Sequence, residues 1–375
     1  MSGPRYTKLS EALPASVPFV GPETQERLQG AAFAARLGAN ENVFGPSPKA
    51  IAAMEAAASD IWKYGDPESH DLKAALAEAH GVAPENIAIG EGIDGLLGYL
   101  VRLIIAPGDK VVTTAGAYPT FNYHVTGFGG ELHTVPYVND AESPELLLAK
   151  VREVDAPLVY LANPDNPMAT VHDGARVQAM IDDLPEGATL CLDEAYIEFA
   201  PAGCVPEIDI SHPRVIRFRT FSKAYGMAGA RVGYAIAHRD FVKSFDKVRN
   251  HFGMNRAAQA GALAALADKA YLVQTLENVR TAKARIAGIA RENGLQPLPS
   301  ATNFVAIDCG QGVEFAKAIV AALGEQGVFI RMPFSEPQNR CIRISAGTPD
   351  NLDLLETALP RALIQATKSM EAAKS

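Results

Sequence analysis

The stretch Arg219–Tyr234, RTFSKAYGMAGARVGY, follows a short apolar run that predicts a buried strand. A lysine amine at the end of such a strand can attack a carbonyl carbon and form an imine. The hydroxyls of Thr220 and Ser222 and the guanidinium of Arg231 can surround a phosphate dianion with donors and one fixed charge. A lone lysine is usually a solvated surface residue. The combination of Lys223 with hydroxyls and an arginine is far more specific, and it indicates a site for a phosphate-bearing carbonyl compound.

Helical patterns alternate with short apolar runs on both sides of this stretch, between about residues 47 and 250. This alternation predicts a parallel sheet wrapped by helices, with strands covered on both faces. The predicted strands are Lys110–Thr114, Leu158–Ala162, Thr189–Asp193, Val215–Arg219 and Val232–Ala237. The predicted helices include Pro48–Ala57, Asp71–Ala79, Asp94–Ile105 and Phe241–Asn250.

The C-terminal part of the chain has a different pattern. A long Ala- and Leu-rich helical stretch runs from Arg256 to about Asn293 and leads into an α+β arrangement. Its predicted elements are the strands Asn303–Ile307, Val328–Met332 and Cys341–Ser345 and the helices Gly312–Leu323 and Asp350–Leu359. We therefore expect a large α/β domain over residues 47–252 and a small α+β domain formed by residues 1–46 and 253–375.

Composition excludes several classes of function. With 375 residues, a 48% hydrophobic fraction and a net charge of −9, the chain predicts an ordinary globular protein without a basic field for nucleic acid. It has neither an apolar run of bilayer-spanning length nor a signal-peptide pattern, so we expect no membrane partner and a cytoplasmic location. The four cysteines lack C-x-x-C spacing, which predicts reduced thiols and no metal site.

Three further motifs lie beside predicted elements. In Asp193-Glu194-Ala195-Tyr196, a buried carboxylate could keep a pyridinium nitrogen protonated, although an aspartate here could equally be a helix N-cap. In Asn163-Pro164-Asp165-Asn166-Pro167, an Asn amide could donate to a phenolic oxygen, while turn chemistry alone would also explain the run. The glycines of 90–97, GEGIDGLL, precede a helix whose N-terminus could bind phosphate.

Taken in chain order, these motifs resemble those of the fold-type I pyridoxal-phosphate aminotransferases, and among them the histidinol-phosphate aminotransferase group. The resemblance runs from 39–46, ANENVFGP, to 343–348, RISAGT. It implies an aspartate aminotransferase-like α/β fold, with a large, mostly parallel sheet domain wrapped by helices and a smaller α+β domain. It also implies pyridoxal 5'-phosphate as cofactor, small amino donors and 2-oxo acid acceptors as substrates, and a homodimer.

The same resemblance assigns roles to individual residues. Lys223 would be the Schiff-base lysine and proton carrier, Asp193 the partner of the ring nitrogen, and Tyr196, with Asn166, a contact of the ring's phenolic oxygen. Phe121 would stack on the ring face, and Tyr64 would reach the cofactor phosphate of the neighbouring subunit. The phosphate site would comprise Gly92, Ile93, Thr220, Ser222 and Arg231, with Asp94 as a further cofactor contact, and the substrate would contact Asn42, Arg331 and Arg343.

Four departures from the family pattern affect the expected substrate. Ile93 replaces a small residue, Gly95 replaces an acidic one, and Met168-Ala169 changes the loop after Asn166-Pro167. Phe19 stands where the histidinol-phosphate enzymes carry a tyrosine, which removes a phosphate donor. The sequence hypothesis is thus an aminotransferase of this type in fold, whose substrate need not be histidinol phosphate.

Two alternatives remain open from the sequence. A pyridoxal-phosphate decarboxylase would use the same residues, since the outcome depends on which bond stands perpendicular to the ring. A binding module, such as the effector domain of a regulator, would need a helix-turn-helix domain, and residues 1–40 are too short and too rich in Pro and Gly to supply one.

Overall fold

The computed structural model describes residues 3–15 and 20–372. Its strands are β1 Ala35–Arg36, β2 Ile87–Glu91, β3 Lys110–Thr114, β4 Glu131–Val135, β5 Leu158–Ala162, β6 Thr189–Asp193, β7 Val215–Thr220, β8 Val232–Ala237, β9 Gln296–Pro297, β10 Phe304–Asp308, β11 Val328–Phe329 and β12 Cys341–Ser345. Its α-helices are α1 Lys8–Ala12, α2 Pro22–Gln29, α3 Pro48–Ala58, α4 His70–His80, α5 Gly92–Ile104, α6 Pro119–Gly127, α7 Pro144–Val154, α8 Gly174–Asp182, α9 Arg239–Ser244, α10 Arg256–Ala267, α11 Lys269–Glu292, α12 Gly312–Glu325 and α13 Pro349–Ala372.

The larger sheet has the strand order β2-β8-β7-β6-β5-β3-β4. All neighbours are parallel except β8, which runs antiparallel to both β2 and β7. In the register of β5 and β6, Ala162 lies opposite Asp193, so both strands end at the same edge. Ligands of open α/β sheets bind outside the carboxyl ends of the strands, and here these ends belong to β5, β6 and β7.

Helices cover both faces of this sheet. On one face Leu96 of α5 and Phe121 of α6 pack in a cluster with Tyr160. On the other face Leu147 of α7 packs in a cluster with Leu161. Because successive strand residues point to opposite faces, a strand covered on both sides is apolar at nearly every position, which is what the sequence of β5 shows.

The smaller sheet has the order β12-β10-β9 and is antiparallel. Its apolar cluster includes Ile286 of α11, Ile319 of α12 and Leu355 of α13. The strand β1 of the N-terminal segment pairs in parallel with β11, which attaches that segment to this half of the molecule.

The division into domains at residues 46/47 and 252/253 stays a proposal. Ala258 and Ala262 of α10 pack in a cluster with Leu72 of α4 and Ile87 of β2, beside the larger sheet. We therefore propose that the boundary between the two halves lies after α10, near Asp268.

Several elements differ from the sequence-based prediction. The strands β2 and β4 were not predicted, and β8 is antiparallel where a parallel sheet was expected. The helical stretch from Arg256 to Asn293 is two helices, because Asp268 interrupts it and binds Lys49 with a 3.1 Å Nζ–Oδ1 distance. The helix expected over Phe241–Asn250 is α9, which ends at Ser244. In residues 3–15 and 20–372, no helix has the length and hydropathy to span a bilayer.

Candidate functional site

A cavity of about 240 Å³ opens where β5, β6 and β7 end and α5 begins. Asp193, Tyr196, Lys223 and Arg231 all line it, although they come from two separate segments of the chain. A separate cavity of about 430 Å³ between α4 and α9 contains none of the predicted site residues. The parallel register of the sheet therefore brings the separate motifs to one place.

Asp193 is the last residue of β6 and is 4% exposed. Its Oδ2 accepts a hydrogen bond from the Tyr160 hydroxyl at 2.7 Å, and its Oδ1 accepts one from the Ala195 N–H at 2.9 Å. Burial raises the pKa of this carboxyl to about 6, against the opposing effect of the two donors. A cationic group in the cavity would find here a buried carboxylate fixed in one orientation.

This raised pKa predicts how the stability of the cofactor-free protein depends on pH. The folded-state pKa of this carboxyl lies above its ordinary value of 3.8. Its protonated form therefore stabilises the fold at pH values below 3.8, and this contribution is lost as the pH rises through about 6. Asp193→Asn removes the titration. Between pH 5 and pH 8 the variant should therefore gain about 1 to 2 kcal/mol of unfolding free energy relative to the wild type.

Urea unfolding of both cofactor-free proteins at the two pH values measures this difference. A gap between the two proteins that is the same at pH 5 and pH 8 would show that Asp193 does not titrate in this range.

Lys223 follows β7 and projects into the cavity. Its Nζ donates to the backbone oxygen of Asn40 at 3.2 Å and lies 5.3 Å from the ring centroid of Tyr196. The lysine also lines a second cavity, described below. Its amine can therefore reach ligands in both spaces.

The opposite end of the cavity is built to receive an anion. Gly92 begins α5 with φ 73°, and a Cβ there would collide with the guanidinium of Arg231. Nη1 of Arg231 donates to Oγ of Ser222 at 3.3 Å, and its Nη2 lies 3.6 Å from Oδ2 of Asp94. Free N–H groups at the start of a helix, together with a guanidinium, bind phosphate. Ile93 and Asp94 line this end as well.

Thr220 has a different role from the one expected of a phosphate donor. Its Oγ1 donates to the backbone oxygen of Val232 at 3.1 Å and accepts the N–H of Ser222 at 3.0 Å. The hydroxyl therefore fixes the turn that carries Ser222 and Lys223, while its residue still lines the cavity.

Polar contacts link the cavity to the rest of the site. The hydroxyl oxygen of Tyr196 accepts hydrogen bonds from Nδ2 of Asn40 at 3.0 Å and from Nδ2 of Asn166 at 3.5 Å, and its own proton can be donated to a ligand. Oδ1 of Asn166 accepts from Nη1 of Arg343 at 2.6 Å. Asn166 therefore connects Tyr196 to the arginine.

A second cavity of about 420 Å³ adjoins the first and shares Asp94, Tyr118, Asn166 and Lys223 with it. Its polar end holds Arg331 and Arg343. Burial lowers the pKa of Arg343 to about 10, so the side chain remains charged at neutral pH. Among the described residues its buried Nε has no hydrogen-bond partner.

Aromatic side chains flank the mouth of this second cavity. Phe334 is 71% exposed and Tyr123 is 56% exposed, and both line it. Nη2 of Arg331 donates to the backbone oxygen of Val20 at 2.6 Å, which brings the N-terminal segment beside the same space.

Two predicted contacts are corrected by the structure. Phe121 is fully buried and lines neither cavity, because its ring packs behind the wall, with its centroid 4.6 Å from that of Tyr160. Asn42 also lines neither cavity, since its Nδ2 donates to the backbone oxygen of Ala224 at 3.2 Å and its Oδ1 accepts the N–H of Phe44. Both side chains are used in local packing.

Three residues of the site were not predicted. Tyr118 lines both cavities and donates to Oδ1 of Asp94 at 3.1 Å. Asn40 lines the second cavity. Both lie in the motifs already recognised, two or three residues from the predicted position. Tyr160 lies inside a strand, where no motif marked it.

Other predicted positions lie apart from the cavities or outside the described residues. Tyr64 is 74% exposed, and its ring centroid is 4.6 Å from that of Phe252. Met168 is fully buried, and Ala169 has φ 64°, in the left-handed region. Phe19 lies outside the described residues.

The arrangement fits the cofactor that the motifs predict. One cavity holds an amine at Lys223, a buried carboxylate at Asp193 and an anion site beside Gly92 and Arg231. These groups match the aldehyde, the ring nitrogen and the phosphate of pyridoxal phosphate. Gly92 has a φ of 73°, in the left-handed region that favours glycine, and its lack of a side chain leaves room for the guanidinium of Arg231 beside it.

Comparisons with known proteins agree with this geometry. The sequence model of the family described as aminotransferase class I and II matches residues 35–359. Histidinol-phosphate aminotransferase 2 of Carboxydothermus hydrogenoformans is 34% identical over 349 residues, which cover 91% of this chain and 94% of the relative. The crystal structure of histidinol-phosphate aminotransferase from Sinorhizobium meliloti, in complex with pyridoxal 5'-phosphate, is 54% identical, with a TM-score of 0.94 over 97% of this chain and 98% of that chain.

A more distant structure shows the fold alone. Aspartate aminotransferase from Thermus thermophilus with maleate is 22% identical and has a TM-score of 0.78 over 97% of this chain and 100% of that chain. The larger and smaller sheets therefore belong to an aspartate aminotransferase-like fold.

Proposed function

The chain belongs to the class I and II aminotransferase family, and from that premise we propose that it moves an amino group from a donor with an anionic end to a 2-oxo acid. It is a pyridoxal-phosphate-dependent aminotransferase. The observation that carries the proposal is the pair of joined cavities. One contains Asp193, Lys223 and Arg231, and the other contains Arg331 and Arg343.

Lys223 is the residue that we propose acts on the substrate. When bound, pyridoxal phosphate supplies an aldehyde that exchanges with amines and a ring that withdraws electrons from the carbon beside the nitrogen. Nζ of Lys223 would hold the cofactor covalently and, once displaced by the donor's amine, would carry a proton from the donor's α-carbon. Its position on both cavities supports this double role.

The remaining residues would orient and polarise the bound groups. Asp193 would keep a proton on the ring nitrogen, and Tyr196 with Asn166 would hold the phenolic oxygen. Tyr118 would cover the ring face, a position that its lining of both cavities supports. Gly92, Ser222 and Arg231 would hold the phosphate and so fix the ring relative to Lys223.

The cavity geometry also favours ping-pong kinetics. Within the described residues, Lys223 faces one substrate cavity, so the donor's product must leave before the acceptor can occupy the same space. Initial-rate plots at several fixed donor concentrations should give parallel lines.

We propose that the donor carries a phosphate or carboxylate held by Arg331 and Arg343. A planar guanidinium suits bidentate recognition of either group, and both arginines line the second cavity. The aromatic mouth formed by Tyr123 and Phe334 suits a ring on the donor. Histidinol phosphate is the first candidate, since both relatives above carry its name, and aromatic amino acids are the second.

Pairs of donors that differ only in the anion test this proposal. We would compare histidinol phosphate with histidinol, and phenylalanine with phenethylamine, each with 2-oxoglutarate as acceptor. In the preferred pair, the member that carries the phosphate or carboxylate should be far the better donor. A buried arginine left without its anion is costly. Equal rates within both pairs, or release of carbon dioxide without an oxo product, would contradict the proposal.

We further propose a homodimer in which Tyr64 completes the partner's site. Tyr64 and Phe252 form an exposed aromatic pair, and the nearby Trp62 is 77% exposed. Large exposed aromatics in one patch indicate a surface covered by another chain. The family resemblance supplies the role, which is a contact with the cofactor phosphate of the neighbouring subunit.

Subunit mixing tests this role. Lys223→Ala dimers should be inactive and Tyr64→Ala dimers should have weakened cofactor binding. In a mixed dimer, one site combines an intact Lys223 with Tyr64 from the other chain, so mixing should restore up to about half of the wild-type activity per dimer. If Tyr64 acted within its own chain, every mixed site would be defective and no activity would return.

We propose a cytoplasmic location. The free cysteines Cys191, Cys204, Cys309 and Cys341 are all buried, which suits a compartment that keeps thiols reduced.

A further inference from the structure

Tyr160 lies in the wall of the first cavity and was not marked by any motif. It is fully buried, and its ring stacks on Phe121 with an interplanar angle of 23°. In the register of β5 and β6, Ala162 lies opposite Asp193. Tyr160 precedes Ala162 by two residues, and because side chains alternate along a strand, both point to the same face of the sheet. From there its hydroxyl reaches Oδ2 of Asp193 at 2.7 Å.

The hydrogen bonds of Asp193 determine how strongly it attracts a proton. The Ala195 N–H occupies Oδ1 and the Tyr160 hydroxyl occupies Oδ2. Each donor stabilises the ionised carboxylate and so makes it a weaker base. A ring nitrogen placed beside this carboxylate competes with it for one proton. The weaker the carboxylate as a base, the more the proton stays on the nitrogen.

We propose that Tyr160 is a positioning residue which, by donating to Asp193, keeps the shared proton on the cofactor's ring nitrogen. The inference rests on the proposed function, because it requires the ring to bind beside Asp193. The ring nitrogen withdraws electrons from the reacting carbon more strongly when it is protonated. Tyr160 therefore acts on the rate of the chemical step without touching the donor.

Tyr160→Phe separates this role from a structural one. Phenylalanine preserves the stacking on Phe121 and removes the hydroxyl alone. The other acidic side chains that act electrostatically on Asp193 are those of Asp94 and Glu194, and neither is altered by the change. Tyr234→Phe is the matched control. Tyr234 is a buried tyrosine of β8 that lines neither cavity, and its hydroxyl lies 2.9 Å from Nε2 of His80.

The experiment loads the full-length wild type and both variants with pyridoxal phosphate isotopically labelled at the ring nitrogen. The nitrogen NMR shift of the wild type should be that of a protonated ring, and in Tyr160→Phe it should move toward the unprotonated value. The kcat of Tyr160→Phe should fall about tenfold to a hundredfold, the range expected for a hydrogen bond to a charged group, while the KM of the donor changes little. Tyr234→Phe should match the wild type in shift and kcat.

The outcomes are distinguishable. A wild-type shift and kcat in Tyr160→Phe would overturn the inference and leave the proposed function intact. Equal losses of kcat and thermal stability in both variants, with no change of nitrogen shift, would reduce Tyr160 to a packing residue and also overturn it. A wild-type protein that retains no labelled cofactor would instead overturn the proposed function.

Discussion

Lys223→Ala should lower kcat by about ten-thousandfold or more while leaving the fold intact. The variant loses both the covalent attachment of the cofactor and the base that moves the proton, and a positioned base alone contributes about a hundredfold to ten-thousandfold. Within residues 3–15 and 20–372 the side chain makes one hydrogen bond, to the backbone of Asn40, so its loss should cost little stability. Steady-state turnover and the absorbance of the lysine-bound cofactor measure the effect together.

Lys283→Ala is the control for this prediction. Lys283 is another largely buried lysine, whose pKa burial lowers to about 8, and its Nζ donates to the backbone oxygen of Ser300 at 2.8 Å, away from both cavities. It should keep wild-type turnover and the wild-type absorbance band. A Lys223→Ala protein that kept both would show that another amine holds the cofactor.

Asp193→Asn should lower kcat by about a hundredfold to a thousandfold, the range seen when one preorganised electrostatic group is removed. The amide has the shape of the carboxylate and its single oxygen can still accept one of the two hydrogen bonds, but it cannot balance a positive charge on the ring nitrogen. Because Lys223 is unchanged, the cofactor should remain covalently bound. The variant should therefore combine a normal cofactor content with slow turnover.

Normal cofactor content together with slow turnover would distinguish Asp193 from a residue that only supports the fold. Cofactor content, thermal unfolding and kcat would be measured on the same preparation. Loss of bound cofactor in proportion to the loss of activity would contradict the assigned role and indicate a structural one.

The sequence predicted the central residues because their chemistry and their position agree. Asp193 and Lys223 both follow apolar runs, and the carboxyl ends of neighbouring parallel strands meet at one edge of a sheet. The glycine at position 92 was recognisable because a helix N-terminus that binds an anion needs close approach. These predictions depend on local pattern and on the parallel sheet, both of which can be read along the chain.

The errors arise where the direction of a side chain decides its role. In Tyr118-Pro119-Thr120-Phe121 the motif offers two aromatics, and the start of α6 turns Tyr118 to the cavities and Phe121 into the core. The two asparagines at positions 40 and 42 present the same choice, decided by the backbone of the loop around Ala224. No local pattern contains that information.

Tyr160 illustrates a further limit. Its role depends on the register between β5 and β6, a contact between residues that are 33 positions apart in sequence. In the sequence it is one aromatic in an apolar strand, where packing is the ordinary role.

The most direct test of the central claim is a single turnover of the cofactor-loaded enzyme with its best donor and no acceptor. One equivalent of oxo product per lysine-bound cofactor is expected, with the amino group retained by the protein and released only when a 2-oxo acid is added. Oxo product in large excess over cofactor, or carbon dioxide in its place, would show that the protein is not an aminotransferase of this kind.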